Sequence, residues 1–139
     1  MFDVLQEVNL VAVGVATVAY FVLGALWFTP LFGKAYDAGT GVKRSANQKW
    51  PAMYYIGPFL SSLAVTAATA VLLYALSVQS MVDALVLGFV VGIGYLASTS
   101  LSNAIAPNMP RPLVYGLVVG CYHLVGVMLV SAILFLMKG

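Results

Sequence analysis

Charge is what this sequence has least of. Four acidic and six basic residues make up 7% of its 139 residues, against roughly 25% in a soluble domain. Ten charges cannot cover a water-facing surface, so a soluble globule is excluded. Cysteine is nearly absent too. Cys121 stands alone, which excludes an intrachain disulfide and a cysteine-built metal site. The chain has one histidine, His123, and one histidine cannot hold zinc by itself. No pair of acids, no glycine-rich phosphate loop and no nucleophile beside a base can be picked out. No catalytic, cofactor or metal residue is therefore assigned, and enzymatic activity stays unassigned. Most of the basic residues are scattered over two loops without forming a stripe, which argues against nucleic acid as a partner.

What is present is long apolar sequence. Hydrophobic residues make up 63% of the chain, and its mean hydropathy is +1.03. Uncharged stretches of 26, 33, 27 and 26 residues separate Glu7, Lys34, Lys49, Asp83, Arg111 and Lys138, leaving out the basic segment 34–49. One crossing of a bilayer takes about 20 residues, so each stretch fits one helix and none fits two. The spacing predicts an all-α, four-transmembrane-helix bundle as one membrane domain over 1–139. Helices are expected at about 9–28, 55–76, 81–104 and 113–137, with a basic loop over 31–53. The acidic start of the chain, with Asp3 and Glu7, does not suit a cleavable signal peptide.

Local signals mark the ends. Asn9 suits an N-cap of the first helix. Trp27 and Phe28 suit an aromatic belt at its far end, and Pro30 should stop or kink it. Gly39-Thr40-Gly41 is a turn signal. Trp50, Tyr54 and Tyr55 suit re-entry at an interface, and Pro58 falls early enough in the second helix to be tolerated. Ser80 and Asp83 have the spacing of a capping box. Pro107, Pro110 and Pro112 stiffen the last connection.

Hairpin connections put the first and third loops on one side, and these carry five of the six basic residues. The positive-inside rule places those loops in the cytoplasm and both termini outside. Small residues suit close helix packing: Gly88 and Gly92 in the third helix, Gly116 and Gly120 in the fourth, and Ser62, Thr66 and Ala70 in the second. They serve packing inside the bundle or contact between copies.

His123 lies about eleven residues into the fourth helix, roughly 16 Å deep and near the midplane of a roughly 30 Å core. Equal depths on the other helices give a layer of Tyr20, Thr66, Tyr95 and His123. Tyr95, Thr99 and Asn103 share a face leading to the basic loops. This cluster is either a polar path or a hydrogen-bonded structural network.

The segment Gly24-Ala-Leu-Trp-Phe-Thr-Pro-Leu-Phe-Gly-Lys34 resembles the signature of the domain of unknown function 1761 family of small bacterial and fungal membrane proteins. Asn9, Gly88-Phe89, Thr99, Asn103 and Tyr122-His123 fit the same pattern, so the resemblance spans nearly the whole chain. Phe28-Thr29 stands where Tyr-Ser is common, and Tyr36 where Trp is common. The resemblance implies four membrane helices, no settled activity and a bacterial plasma-membrane setting. It singles out the Trp27, Pro30, Gly33 and Lys34 elbow. There Trp27 would anchor the interface, and Lys34 would reach a lipid phosphate or a helix C-terminus.

Three functions are open from the sequence. One is a homo-oligomeric transporter or channel for a small solute or ion, with a path at His123. Another is an accessory subunit of a larger membrane complex. The last is a membrane enzyme or lipid-binding protein using the basic loop. The lipid bilayer is a partner in all three.

Overall fold

The computed structural model describes residues 2–139, and all the regular secondary structure among these is helical, with no strand. Four helices are long and apolar enough to cross a membrane: Leu10–Leu31, Met53–Ala75, Met81–Ala104 and Pro112–Leu136. The chain is an integral membrane protein of four spans. We label the segments α1 (Leu10–Leu26), α2 (Gly33–Thr40), α3 (Met53–Ala75), α4 (Met81–Val91), α5 (Ser98–Ala104) and α6 (Pro112–Leu136).

The caps are formed by short polar side chains. Asn9 Oδ1 accepts from the backbone N–H groups of Val11 and Ala12, at 3.0 and 3.1 Å. This satisfies donors that a helix start leaves without partners. Ser80 Oγ accepts from Asp83 N at 3.0 Å and donates to the Asp83 carboxylate at 2.7 Å. The capping box is therefore closed through the hydroxyl, because the Asp side chain is short.

Span four is the hub. It packs against α1, α3, α4, α5 and α2, whereas α3 and α4 barely touch. Small residues make this possible. A Cβ on Gly88 would lie 2.8 Å from Met128 Cα, and one on Gly92 would lie 3.1 Å from Leu124 Cα. Across the same seam, Gly116 faces Leu101 and Ala104, and Gly120 faces Ala97. The two glycine pairs are spent on packing within one copy. Toward the chain ends, Ala12, Val13, Ala16, Leu73, Val127, Val130 and Leu134 fill the interior.

Two spans are interrupted by wide π-helical turns, and these explain where the structure departs from the regular-helix reading. Pro30 was expected to stop or kink span one. The helix widens over Trp27–Leu31, with Phe32 N bonding Trp27 O at 2.7 Å. Proline has no N–H to give; the turn widens around it, and span one ends one residue later, at Leu31. The basic loop over 31–53 also holds a helix, α2, ended by Gly41 at φ +74°. Glycine adopts that left-handed conformation readily.

The second wide turn, Gly92–Ala97, splits span three. A regular helix turns about 100° per residue, so an extra residue in one turn rotates everything after it. The bundle-facing stripe accordingly runs Ala84, Gly88, Gly92, Ala97, Ser100 and Ala104, all buried. In an unbroken helix it would have continued through Tyr95, Thr99 and Asn103. Those three are instead exposed on the outside of the bundle.

The two ends of the bundle are tied differently. At one end Asn9 Nδ2 donates to Met137 O at 2.9 Å, and Lys138 Nζ donates to Val78 O at 3.0 Å. At the other, Arg111 N donates to Gly39 O at 3.2 Å. A Cβ on Gly39 would lie 2.9 Å from Tyr115 N, so this glycine lets α2 lie directly on the start of α6.

Candidate functional site

The site grows out of the Pro30 turn. In a regular helix Phe32 N would bond Phe28 O, but here it bonds Trp27 O. The released Phe28 carbonyl is taken by Arg44 Nη1 at 3.2 Å, while Arg44 Nε holds Asp37 Oδ1 at 2.9 Å. Gly33 keeps this carbonyl accessible, since its Cβ would sit 2.9 Å from Phe28 O. Lys34 was expected to reach a lipid phosphate or a helix C-terminus. It is exposed, and the helix-end carbonyl here is held by Arg44 from the far side of α2. Trp27 was expected to anchor the interface. It is half-buried, its indole N–H donates to Val118 O at 3.0 Å, and its ring lies against Phe32 and Tyr122.

The elbow and α2 wall off a cleft of about 710 Å³ between spans one, two and four. Arg44, Trp50, Tyr54 and Tyr36 stand at its mouth, and Tyr20 and His123 at its inner end. From Thr29 to Tyr20 the wall of span one rises about 14 Å, nine residues of helix. The cleft therefore runs from the basic-loop end to about the middle of the bundle. Ala25 and Thr29 of span one and Gly57 and Ser61 of span two line it and stay exposed. Its side is thus open between those two spans. Deeper in, Phe21 and Phe59 close that seam edge to face, with ring centroids 5.6 Å apart.

At the inner end the Tyr20 hydroxyl and His123 Nδ1 are 2.5 Å apart. Tyr20 is 1% exposed, and its ring fits only because residue 126 is glycine. A Cβ on Gly126 would collide with Tyr20 Cε2. Tyr122 packs on both Tyr20 and His123, with centroids 5.2 and 4.8 Å away, and its hydroxyl lies 3.4 Å from Tyr20 O. Gly24 makes room for that hydroxyl, as a Cβ there would lie 2.9 Å from it. At the mouth, burial pushes the Tyr36 phenol up, Tyr115 beside it adds to this, and Arg44 opposes it. Tyr36 therefore enters the cleft wall as a neutral hydroxyl.

Of the residues expected in one layer, Tyr20 and His123 meet. Thr66 is fully buried, and its hydroxyl has no partner among the described residues. Tyr95 is 71% exposed and does not reach His123, nor do Thr99 and Asn103, because of the wide turn in span three. Reading depth alone missed Tyr122, Gly126 and Arg44. The adjacency of Tyr122 to His123 and the spacing from His123 to Gly126 were the available signals. Nothing in the sequence linked Arg44 to Phe28.

Among the described residues no group of three or more His, Cys, Asp or Glu could hold a metal ion. The arrangement offers a cleft with the Tyr20–His123 pair at its inner end. No curated protein and no solved structure matches the chain. A family profile does match, over residues 11–135, with the description "Protein of unknown function (DUF1761)". Nearly the whole four-span bundle lies within that match, and the chain belongs to the DUF1761 family.

Proposed function

We propose that this protein is a membrane transport protein for a small solute, and that the cleft ending at Tyr20 and His123 is its solute site. The carrying observation is the cleft itself. It is built, about 710 Å³ in volume, open at the basic-loop end and closed at mid-bundle. Ligand sites are usually concave and apolar with a few placed polar groups, which is the composition of this wall. The half beyond Tyr20 is filled by side chains such as Ala16, Leu73 and Val127. A single copy therefore offers a one-sided site rather than an open pore, so transport requires a change of conformation. In this reading the open end faces the cytoplasm, which the charge bias of the loops supports.

The protein works as a homo-oligomer in this reading. Tyr95, Thr99 and Asn103 face outward along span three, and polar side chains in a membrane span normally face protein rather than lipid. A second copy against that face would cover them.

Native mass spectrometry of the protein released from its own membranes tests both parts. A homo-oligomeric mass carrying a small adduct, with the adduct lost in Ser61→Phe, is the expected result. A bare monomer would remove the reading. A mass shared with a different, larger protein would make the chain an accessory subunit instead.

A further inference from the structure

The cleft also carries information about what would fill it. His123 uses Nδ1 on Tyr20, and Nε2 has no hydrogen-bond partner among the described residues. The tautomer follows from accounting for the protons. A neutral imidazole has one donor nitrogen and one acceptor nitrogen. If Nδ1 carried the proton, the buried Tyr20 hydroxyl hydrogen would have no acceptor among the described residues, which is costly. If Tyr20 donates to Nδ1, the hydroxyl hydrogen and Nδ1 are both paired and the ring proton sits on Nε2. The inner end of the cleft therefore presents an N–H donor, and a ligand must bring an acceptor to it.

Three further features narrow the ligand. Nine aromatic rings line the cleft, from Tyr20 and Tyr122 at the inner end to Trp50 and Tyr54 at the mouth, so flat rings can stack there. Arg44 is the one charged residue of the lining, and Asp37 already neutralises it at 2.9 Å. An ionised ligand would lose its hydration with no unpaired counter-charge to meet it, which is strongly unfavourable. Finally, the side of the cleft between spans one and two is open at Ala25 and Ser61, which faces hydrocarbon in a bilayer.

We infer that the occupant is an uncharged, planar ring bearing a carbonyl and an apolar tail, the chemistry of a lipid-soluble quinone. Its carbonyl accepts from His123 Nε2, the ring lies among the aromatics, and the tail leaves between spans one and two into lipid. This rests on the cleft being the solute site, as proposed above, and adds the class of solute.

The test is a fluorescence titration of the full-length protein in nanodiscs, read from the tryptophans, of which Trp50 lines the cleft. Three probes are compared: a decyl-substituted benzoquinone, decanoate and tetraphenylphosphonium. Saturable quenching by the benzoquinone, weakened at least tenfold by His123→Phe, with neither ion competing, is expected. Ser61→Phe adds bulk at an exposed lining position and should weaken binding likewise, which covers the case of a His123→Phe protein that does not fold. Competition by an ion, or benzoquinone binding indifferent to both variants, would overturn the assignment. If all three probes fail while a native adduct is still lost in Ser61→Phe, the class is wrong and the solute site stands. If no adduct exists and no probe binds, the site itself is refuted.

Discussion

The ring of Tyr20 occupies the space that a side chain at Gly126 would need. That contact ties the geometry of the site to a residue with no chemistry of its own. Gly126→Ala would gain about 1 kcal/mol of helix propensity. Overpacking of a filled interior costs typically about 1–3 kcal/mol, and here the obstacle is an aromatic ring held by His123. We expect the second effect to win, with a lower unfolding temperature in detergent and a displaced Tyr20–His123 bond. Gly14→Ala is the matched control, because nothing lies within 4 Å of a Cβ there. An unchanged or raised melting point for Gly14→Ala and a lowered one for Gly126→Ala is the expected pair. Equal behaviour of the two would show that Tyr20 is free to move.

Arg44 makes two bonds of unequal weight. Its pair with Asp37 is partly exposed, with side chains 29% and 23% accessible, and such pairs contribute about 0–1 kcal/mol. Its bond to the Phe28 carbonyl holds a group that lost its helical partner, and a hydrogen bond of this kind adds about 0.5–1.5 kcal/mol that Asp37→Asn leaves in place. Arg44→Ala should therefore destabilise more than Asp37→Asn. Hydrogen exchange should rise around Phe28–Thr40 in the first variant and little in the second. Equal protection in both would mean that the elbow stands without Arg44.

The parts of this fold that were readable are those that depend on local pattern. Charge spacing gave the four spans, because a charge inside hydrocarbon is costly. Asn9, Ser80 and Asp83 marked helix starts, because capping needs only a short side chain at a fixed spacing. Tyr20 and His123 were matched by depth, which helix rise supplies. Depth says nothing about rotation, however. One extra residue in the Gly92–Ala97 turn moved Tyr95, Thr99 and Asn103 from the interior to the outside. Arg44 reaches Phe28 across sixteen residues of chain, a pairing that no periodicity announces. The helix over Gly33–Thr40 was hidden inside a polar segment, because its stability comes from resting Gly39 on Tyr115.

Asn9 caps span one with its oxygen and holds span four with its nitrogen. The two roles separate in a pair of variants. Asn9→Asp keeps the accepting oxygen and loses the donor to Met137 O. Asn9→Ala loses both. Cap removal costs about 0.5–2 kcal/mol, so Asn9→Ala should be the less stable by at least that much, as measured by thermal unfolding. If the variants unfold together, the cap contributes nothing and only the tie to span four matters.

The outward Tyr95, Thr99 and Asn103 face supports the sharpest test of assembly. A polar stripe against lipid tails has no hydrogen-bond partner there, so a second copy is expected to cover it. Cys121 is exposed and would confuse cysteine cross-linking, so the test begins from Cys121→Ser. In that background Thr99→Cys on two facing copies should form a disulfide in native membranes under mild oxidation. That species would run at twice the chain mass and disappear on reduction. Val18→Cys, exposed on span one, serves as the comparison on a purely apolar face. Cross-linking at Thr99→Cys alone would identify span three as the contact between copies. Equal cross-linking at both positions would mean collision rather than assembly. None at either would leave Tyr95, Thr99 and Asn103 to a different partner, and the homo-oligomer would have to be given up.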